Sequence, residues 1–157
     1  MNHFILAVTD GLDLEGKRIR AVDIAISRIA LGKWPLYLHT PNRQLIQVGD
    51  RCLIYLAGRS PDAQNFFASG LIADIDNSRR APTALPLDLV GQPPIAILNF
   101  TNCSRFLPLI PIRPLLARLQ FTAGVKKWGI MIQGGCRKIS DQDFQTVIKS
   151  RSEEVSE

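Results

Sequence analysis

The chain has 157 residues, of which 46% are hydrophobic, enough for one domain with a substantial buried core. No uncharged run is long enough to cross a bilayer, and the N-terminus lacks a basic start, so we expect a cytoplasmic protein without a signal peptide or membrane attachment. Three widely spaced cysteines and two histidines argue against disulfides or a zinc site. A formal net charge of +5 favours polyanions such as nucleic acid, although many unrelated proteins carry this charge.

The first half of the chain is predicted to contain strands and one helix. An apolar run over residues 3–9 predicts a buried strand, and residues 51–57 and 66–75 predict two more. Over residues 17–31, apolar side chains recur at steps of three and four residues. This pattern predicts an amphipathic helix, with the charged side chains, Arg28 among them, mostly on the opposite face.

The second half is predicted to end in a helix, because Ser140 and the acidic residues after it are typical of a helix N-terminus. Several short strands with peripheral helices favour an α+β fold, a small mixed β-barrel with the helices outside. No repeat or composition break divides residues 1–150, and residues 151–157 form a short acidic tail. The remaining predicted elements are a long connection over 77–94, a strand over 95–100, an extended stretch over 105–112, a short helix over 114–119 and a last strand over 128–133.

Trp34 is the first candidate for a binding residue. It lies between Gly32, where the helix is predicted to stop, and Pro35, which disfavours helical backbone at the residue before it. The sequence therefore predicts a loop, where a large ring is costly unless it packs or meets a ligand. Trp128, by contrast, neighbours apolar residues of the predicted last strand, so we expect it in the core or at its edge.

Five segments in this order carry a family resemblance. They resemble the EVE domain family, small PUA-like barrels related to the YTH readers of methylated RNA, over nearly the whole chain. The segments are an apolar strand ending in Thr9, Gly32-Lys33-Trp34, Val48-Gly49-Asp50-Arg51, Lys127-Trp128-Gly129-Ile130-Met131-Ile132 and Ile139-Ser140-Asp141-Gln142-Asp143-Phe144. The last two are the most specific. The resemblance implies a non-catalytic module, without a cofactor, that recognises a modified or flipped-out base of DNA or RNA in an aromatic pocket.

The resemblance also implies site residues. The Gly-x-Trp pattern of YTH domains matches Gly32-Lys33-Trp34, so Trp34 would be one wall of an aromatic cage. YTH readers carry further tryptophans in the loop before the 95–100 strand, whereas residues 77–94 contain no aromatic residue. Other rings would then close the cage, with Phe66, Phe67 and Tyr37 as candidates. The predicted base-binding residues are Trp34, Val8, Thr9, Asp10, Pro35, Tyr37 and Phe67, and the predicted phosphate-binding residues are Lys33, Arg137 and Lys138; no catalytic or metal-binding residue is predicted.

Two alternative functions stay open from the sequence. PUA-like barrels of the ASCH type hydrolyse acylated cytidine through a Lys-Thr-Glu group, and here Thr9 could combine with Lys17 or Lys33. Because the few glutamates lie mostly in the tail, we predict no enzyme. A protein-interaction adaptor would instead present the Trp34 surface to a partner chain. A role in restriction would require a separate nuclease or modification partner.

Overall fold

The computed structural model describes residues 1–77, 93–132 and 134–155. Within them, a mixed sheet of six strands curls into a half-barrel that carries two α-helices. Three short 3-10 helices cover Arg43–Leu45, Arg113–Leu115 and Trp128–Ile132. In chain order the other elements are β1 (His3–Val8), β2 (Gly11–Leu12), β3 (Arg18–Ile19), α1 (Ala21–Leu31), β4 (Lys33–Leu36), β5 (Arg51–Leu56), β6 (Asn65–Asp76), β7 (Ala96–Pro111), β8 (Cys136–Ile139) and α2 (Asp141–Val155).

The sheet has the strand order β4-β7-β6-β5-β1-β8. Strands β1 and β5 are parallel, with His3 opposite Arg51 and Val8 opposite Leu56. The other neighbouring pairs are antiparallel. A parallel pair needs a crossover connection, and α1 supplies it. The predicted α+β architecture is therefore confirmed.

Alternate residues of β1 enter two separate cores, one on each face of the sheet. Leu6 and Val8 pack in the core that contains Ile24 of α1, whereas Ile5 packs in the core that contains Phe144 of α2. Successive side chains of a strand point to opposite faces. Because both faces of β1 are covered, its sequence is a continuous apolar run without alternating polar residues.

The predicted strand over 128–133 is wrong. Residues 128–132 form a 3-10 helix, and the last strand is β8, which begins only at Cys136. A short apolar run cannot be assigned to a strand by periodicity alone. Two glycines with positive φ, Gly134 at 90° and Gly135 at 96°, turn the chain before β8 starts.

Other boundaries also differ from the predictions. Helix α1 begins at Ala21 instead of residue 17, because Arg18 and Ile19 pair with β2. The segments 95–100 and 105–112 belong to one long strand, β7, whose pairing with β6 is interrupted by register shifts. Only a 3-10 turn at Arg113–Leu115 represents the helix predicted over 114–119.

The closing helix is confirmed. The Ser140 hydroxyl accepts a hydrogen bond from the Asp143 backbone N–H at 3.0 Å, as a helix N-cap does. Helix α2 continues to Val155, so the predicted start of the acidic tail at residue 151 falls inside the helix. Most of the connection predicted over 77–94 lies outside the described residues. Among the described helices, none combines the length and the apolar character needed to span a membrane.

Candidate functional site

A cavity of about 810 Å³ lies where the carboxyl ends of β1 and β5 approach β4. Parallel neighbours end at the same edge of the sheet, so the loops that follow β1 and β5 both contribute to its wall. Its volume falls within the roughly 300–1,000 Å³ typical of small-ligand pockets. The side chains that carry its chemistry are two tryptophans, two tyrosines, two arginines, Thr9, Asp10 and Gln64.

Trp34 lies in strand β4 and not in a loop, so that prediction is wrong. Gly32 ends α1 in the left-handed conformation, at φ 66°, and its carbonyl accepts a hydrogen bond from the Phe100 N–H. The chain therefore enters β4 directly, with Trp34 opposite Leu98 of β7. Pro35 is tolerated because β4 is an edge strand. Trp34 is only 2% exposed, and it forms part of the cavity wall.

Arg28 covers one face of the Trp34 ring. The guanidinium carbon lies 4.7 Å from the ring centroid, a distance typical of a cation–π contact. Arg28 also lines the cavity, although the residue is only 7% exposed. Burial lowers its pKa, and the neighbouring Tyr37 acts in the opposite direction. No carboxylate among the described residues forms an ion pair with it.

Trp128 also lines the cavity and is half-buried. It lies in the 3-10 helix and packs at the margin of the core that contains Phe144. The guanidinium carbon of Arg113 lies 5.9 Å from its ring centroid. Lys127, which precedes it, is exposed. Trp128 therefore combines an accessible ring with basic neighbours.

Tyr55 and Gln64 lie on the same part of the wall. Tyr55 is buried and packs against Phe66, with 5.3 Å between the ring centroids. Burial raises the pKa of Tyr55 to about 12, and Arg113 acts in the opposite direction. The phenol therefore stays neutral and can donate a hydrogen bond. The Gln64 side-chain oxygen accepts a hydrogen bond of 2.6 Å from Arg113 Nε.

Asp10 holds the loop after β1 in place. Its carboxylate accepts hydrogen bonds from the Ala21 backbone N–H at 2.9 Å, the Ser60 hydroxyl at 2.8 Å and Arg18 Nε at 2.9 Å. Burial raises the pKa of Asp10, but the hydrogen bonds from Arg18, Ala21 and Ser60 outweigh it and leave the pKa below its usual value. Its oxygens are thus committed to the protein, and Asp10 positions the cavity wall.

The chain resembles known proteins more extensively in structure than in sequence. No protein-family model matches the chain. A UPF0310 protein of Mesorhizobium japonicum is 45% identical over 40 residues, which make up 26% of this chain and 27% of that protein. The chain thus matches only about a quarter of that relative's length.

Several solved structures cover nearly all of the chain. Human THYN1, in complex with DNA containing 5-methylcytosine, has a TM-score of 0.59 at 10% identity and covers 96% of this chain and 98% of its own. The N-terminal domain of Staphylothermus marinus McrB has a TM-score of 0.62 at 7% identity, over 94% and 93%. The Mmi1 YTH domain has a TM-score of 0.52 at 8% identity, over 99% and 98%. This is the PUA-like fold of EVE and YTH domains. The resemblance inferred from the sequence is confirmed at the level of the fold.

In this EVE-like and YTH-like fold, the predicted base-binding residues come together with one exception. Those that line the cavity are Trp34, Val8, Thr9, Asp10, Pro35 and Tyr37. Phe67 does not line it and is fully buried in the core that contains Trp34, with the Arg105 guanidinium carbon 4.7 Å from its ring centroid. Phe66 and Phe67 point to opposite faces of β6, and both faces are covered. The prediction of Phe67 as a cage wall is therefore wrong.

None of the predicted phosphate-binding residues lines the cavity. Lys33 Nζ donates a hydrogen bond to the Asn99 side-chain oxygen at 2.8 Å. Arg137 donates to the Met131 carbonyl at 3.2 Å, and its guanidinium carbon lies 5.2 Å from the centroid of the Phe121 ring. Lys138 is exposed on the edge strand β8, and its role stays a prediction. Thr9 also lines the cavity without Lys17 or Lys33, the lysines of the hydrolase alternative.

Most of the cavity wall was not predicted, including the four large polar or aromatic residues Arg28, Tyr55, Arg59 and Trp128. One of them had a sequence signal. Arg28 follows Ile24 by four residues and Ala25 by three, so it shares the apolar face of α1. A charged side chain within an apolar stripe indicates a buried polar role. Assigning Arg28 to the solvent face was wrong.

Proposed function

We propose that this protein is a non-catalytic reader that binds single-stranded or locally opened DNA or RNA and accepts one modified base in the cavity. The observation that carries this proposal is the convergence of Trp34, Tyr37, Tyr55 and Trp128 on one cavity that also contains Arg28. Support comes from the shared fold, because THYN1 was solved with DNA containing 5-methylcytosine and a YTH domain with RNA.

Trp128 is the ring best placed to stack on the base. It is half-buried, whereas Trp34 is 2% exposed and its covering guanidinium, that of Arg28, lies closer to the ring than that of Arg113 does to Trp128. A base has to leave the helical stack before its face can meet a side chain. Stacking on an aromatic ring contributes roughly 1–3 kcal/mol per base and depends little on base identity. Trp34 then forms another part of the wall, and a methyl group buried against apolar side chains adds about 0.8 kcal/mol.

Basic side chains around the cavity would bind the flanking phosphates. Arg59 lines the cavity, is exposed and forms no ion pair with another described residue. Arg113 lies beside Trp128, and Lys126 and Lys127 precede it in the chain. Phosphate contacts supply much of the affinity of such proteins and weaken as salt rises. Any cleavage or modification of the bound strand would come from a separate protein partner.

The test measures binding of fluorescently labelled single-stranded oligonucleotides that differ at one central base. Replacing Trp128 by alanine should weaken binding by about 5- to 150-fold, which corresponds to the loss of roughly 1–3 kcal/mol of stacking. Ile130→Ala is the matched control, because Ile130 is 55% exposed, lies in the same 3-10 helix and does not line the cavity. Equal binding by both variants would contradict the proposal. Product formed from a modified nucleoside would favour the hydrolase instead.

A further inference from the structure

Arg28 presents a buried positive charge to the cavity. It lies on α1, is 7% exposed and lines the cavity, yet no described carboxylate pairs with it. Its contacts are the Trp34 ring and Tyr37. Buried charges are normally paired, because a charge without a partner is costly to remove from water. A ligand that accepts hydrogen bonds would supply the missing partner.

The guanidinium restricts which ligands can do so. It carries five N–H donors in a planar fork and has no acceptor. It lies over the Trp34 ring, with its central carbon 4.7 Å from the ring centroid, which limits its freedom to move within the wall. Two parallel donors fit two adjacent acceptors, as in the pairing of arginine with O6 and N7 of guanine. A donor on the ligand would face a donor on Arg28 and leave both without a partner.

Only some base edges offer two adjacent acceptors. On its Watson–Crick edge, cytosine places the acceptors N3 and O2 side by side, and methylation at C5 or N4 leaves both in place. Guanine offers O6 and N7 on its other edge. Adenine places an N–H donor beside N1 and beside N7, N6-methyladenine places its one N–H beside one of them and its methyl group beside the other, and thymine places its N3–H between two carbonyls. The chemistry of Arg28 therefore separates cytosine and guanine from adenine and thymine.

We propose that Arg28 is a specificity-determining residue that selects a base with two adjacent hydrogen-bond acceptors, the cytosine or the guanine class, over adenine and thymine. This inference rests on the proposed function, since it requires a base in the cavity. Tyr37 and the Trp34 ring are the neighbours of the guanidinium within the wall. A site built to form hydrogen bonds discriminates strongly, because the wrong ligand leaves its buried groups unpaired.

The first experiment compares wild-type binding of single-stranded oligonucleotides that carry cytosine, 5-methylcytosine, guanine, adenine, N6-methyladenine or thymine at one central position. Oligonucleotides of the selected class should bind about 5- to 150-fold more tightly than the others, as expected for one bidentate contact. Replacing cytosine by 3-deazacytosine, or guanine by 7-deazaguanine, removes one acceptor and should abolish the preference. These two analogues also decide which of the two classes the cavity takes.

The second experiment uses Arg28→Lys, which keeps the charge and loses the planar fork. The variant should bind all the oligonucleotides about equally. Arg20→Lys is the matched control, because Arg20 is exposed, directly precedes α1 and does not line the cavity. If Arg28→Lys does not fold, binding of the deaza analogues to the wild-type protein tests whether the preference requires two adjacent acceptors on the base.

The outcomes separate this inference from the proposed function. Binding that depends on Trp128 but shows no preference, or prefers N6-methyladenine, would overturn the role of Arg28 and leave the reader function standing. If Arg28→Lys keeps the preference for cytosine or guanine, or if the deaza analogues bind as tightly as the natural bases, the role of Arg28 is also overturned and the reader function stands. Absence of binding to every oligonucleotide would overturn both.

Discussion

The two tryptophans of the cavity lie in opposite surroundings. Trp34 belongs to β4, is hydrogen-bonded into the sheet through its backbone and is 2% exposed, with Arg28 over its ring. Trp128 belongs to a 3-10 helix outside the sheet and is half-buried beside Arg113. One wall of the cavity is thus part of the core that contains Ile24, and the other lies at the margin of the core that contains Phe144. We expect the first to determine stability and the second to determine binding.

The largest effect expected from this comparison concerns Trp34. Replacing it by alanine should destabilise the protein by about 3–5 kcal/mol, the usual cost of deleting a large aromatic side chain from a core. Trp128→Ala should cost only about 1 kcal/mol, since the ring is half-buried. Urea unfolding curves of the two variants measure the difference. Equal losses of stability would show that both walls belong to the core and would remove the contrast.

A smaller effect is expected for Asp10, which fixes the loop next to the Trp34 side of the cavity. Asp10→Ala leaves the Ala21 N–H and the Ser60 hydroxyl without their acceptor and should cost about 1–3 kcal/mol. The change in melting temperature measures it. Asp13→Ala is a control, because its carboxylate accepts hydrogen bonds only within its own exposed turn. A larger loss in the control would contradict a special role for Asp10.

Asp10 also gives stability a dependence on pH. Its pKa is below the usual value, of about 3.9 for an unfolded chain, so the folded protein binds this proton less readily than the unfolded one. The stabilisation is therefore present above that pH and lost as the pH falls through the folded-state pKa. The stability difference between the wild type and Asp10→Asn should shrink on acidification. A difference that grows on acidification would refute this assignment.

The smallest effect is expected for Arg59, which lies at the cavity away from both tryptophans in sequence. Arg59→Ala should reduce the slope of log affinity against log salt by about 0.7, the value for one phosphate contact on a single strand. Arg51→Ala is the matched control, since Arg51 is exposed at the other end of β5. An unchanged slope for Arg59→Ala would place the phosphate contacts elsewhere, with Lys138 as the next candidate.

The family resemblance predicted one part of the cavity wall. Base binding was predicted for Trp34, Val8, Thr9, Asp10, Pro35 and Tyr37, and all six line the cavity. The resemblance did not place Trp128 at the cavity, since Trp128 lies in a segment where the apolar run predicted a strand and the chain forms a 3-10 helix.

The sequence by itself determined the elements that depend on interactions between residues close together in the chain. The apolar runs of β1 and β5, the end of α1 at Gly32 and the cap of α2 at Ser140 follow from backbone preferences and from short-range hydrogen bonds. Only the tertiary structure decided that Trp34 is buried, because β4 pairs with residues of β7 more than sixty positions later in the chain. It also decided that Arg28 faces the cavity, since helical spacing gives the face of a residue but not what that face meets. Burial depends on the partner surface, and the partner comes from a distant part of the chain.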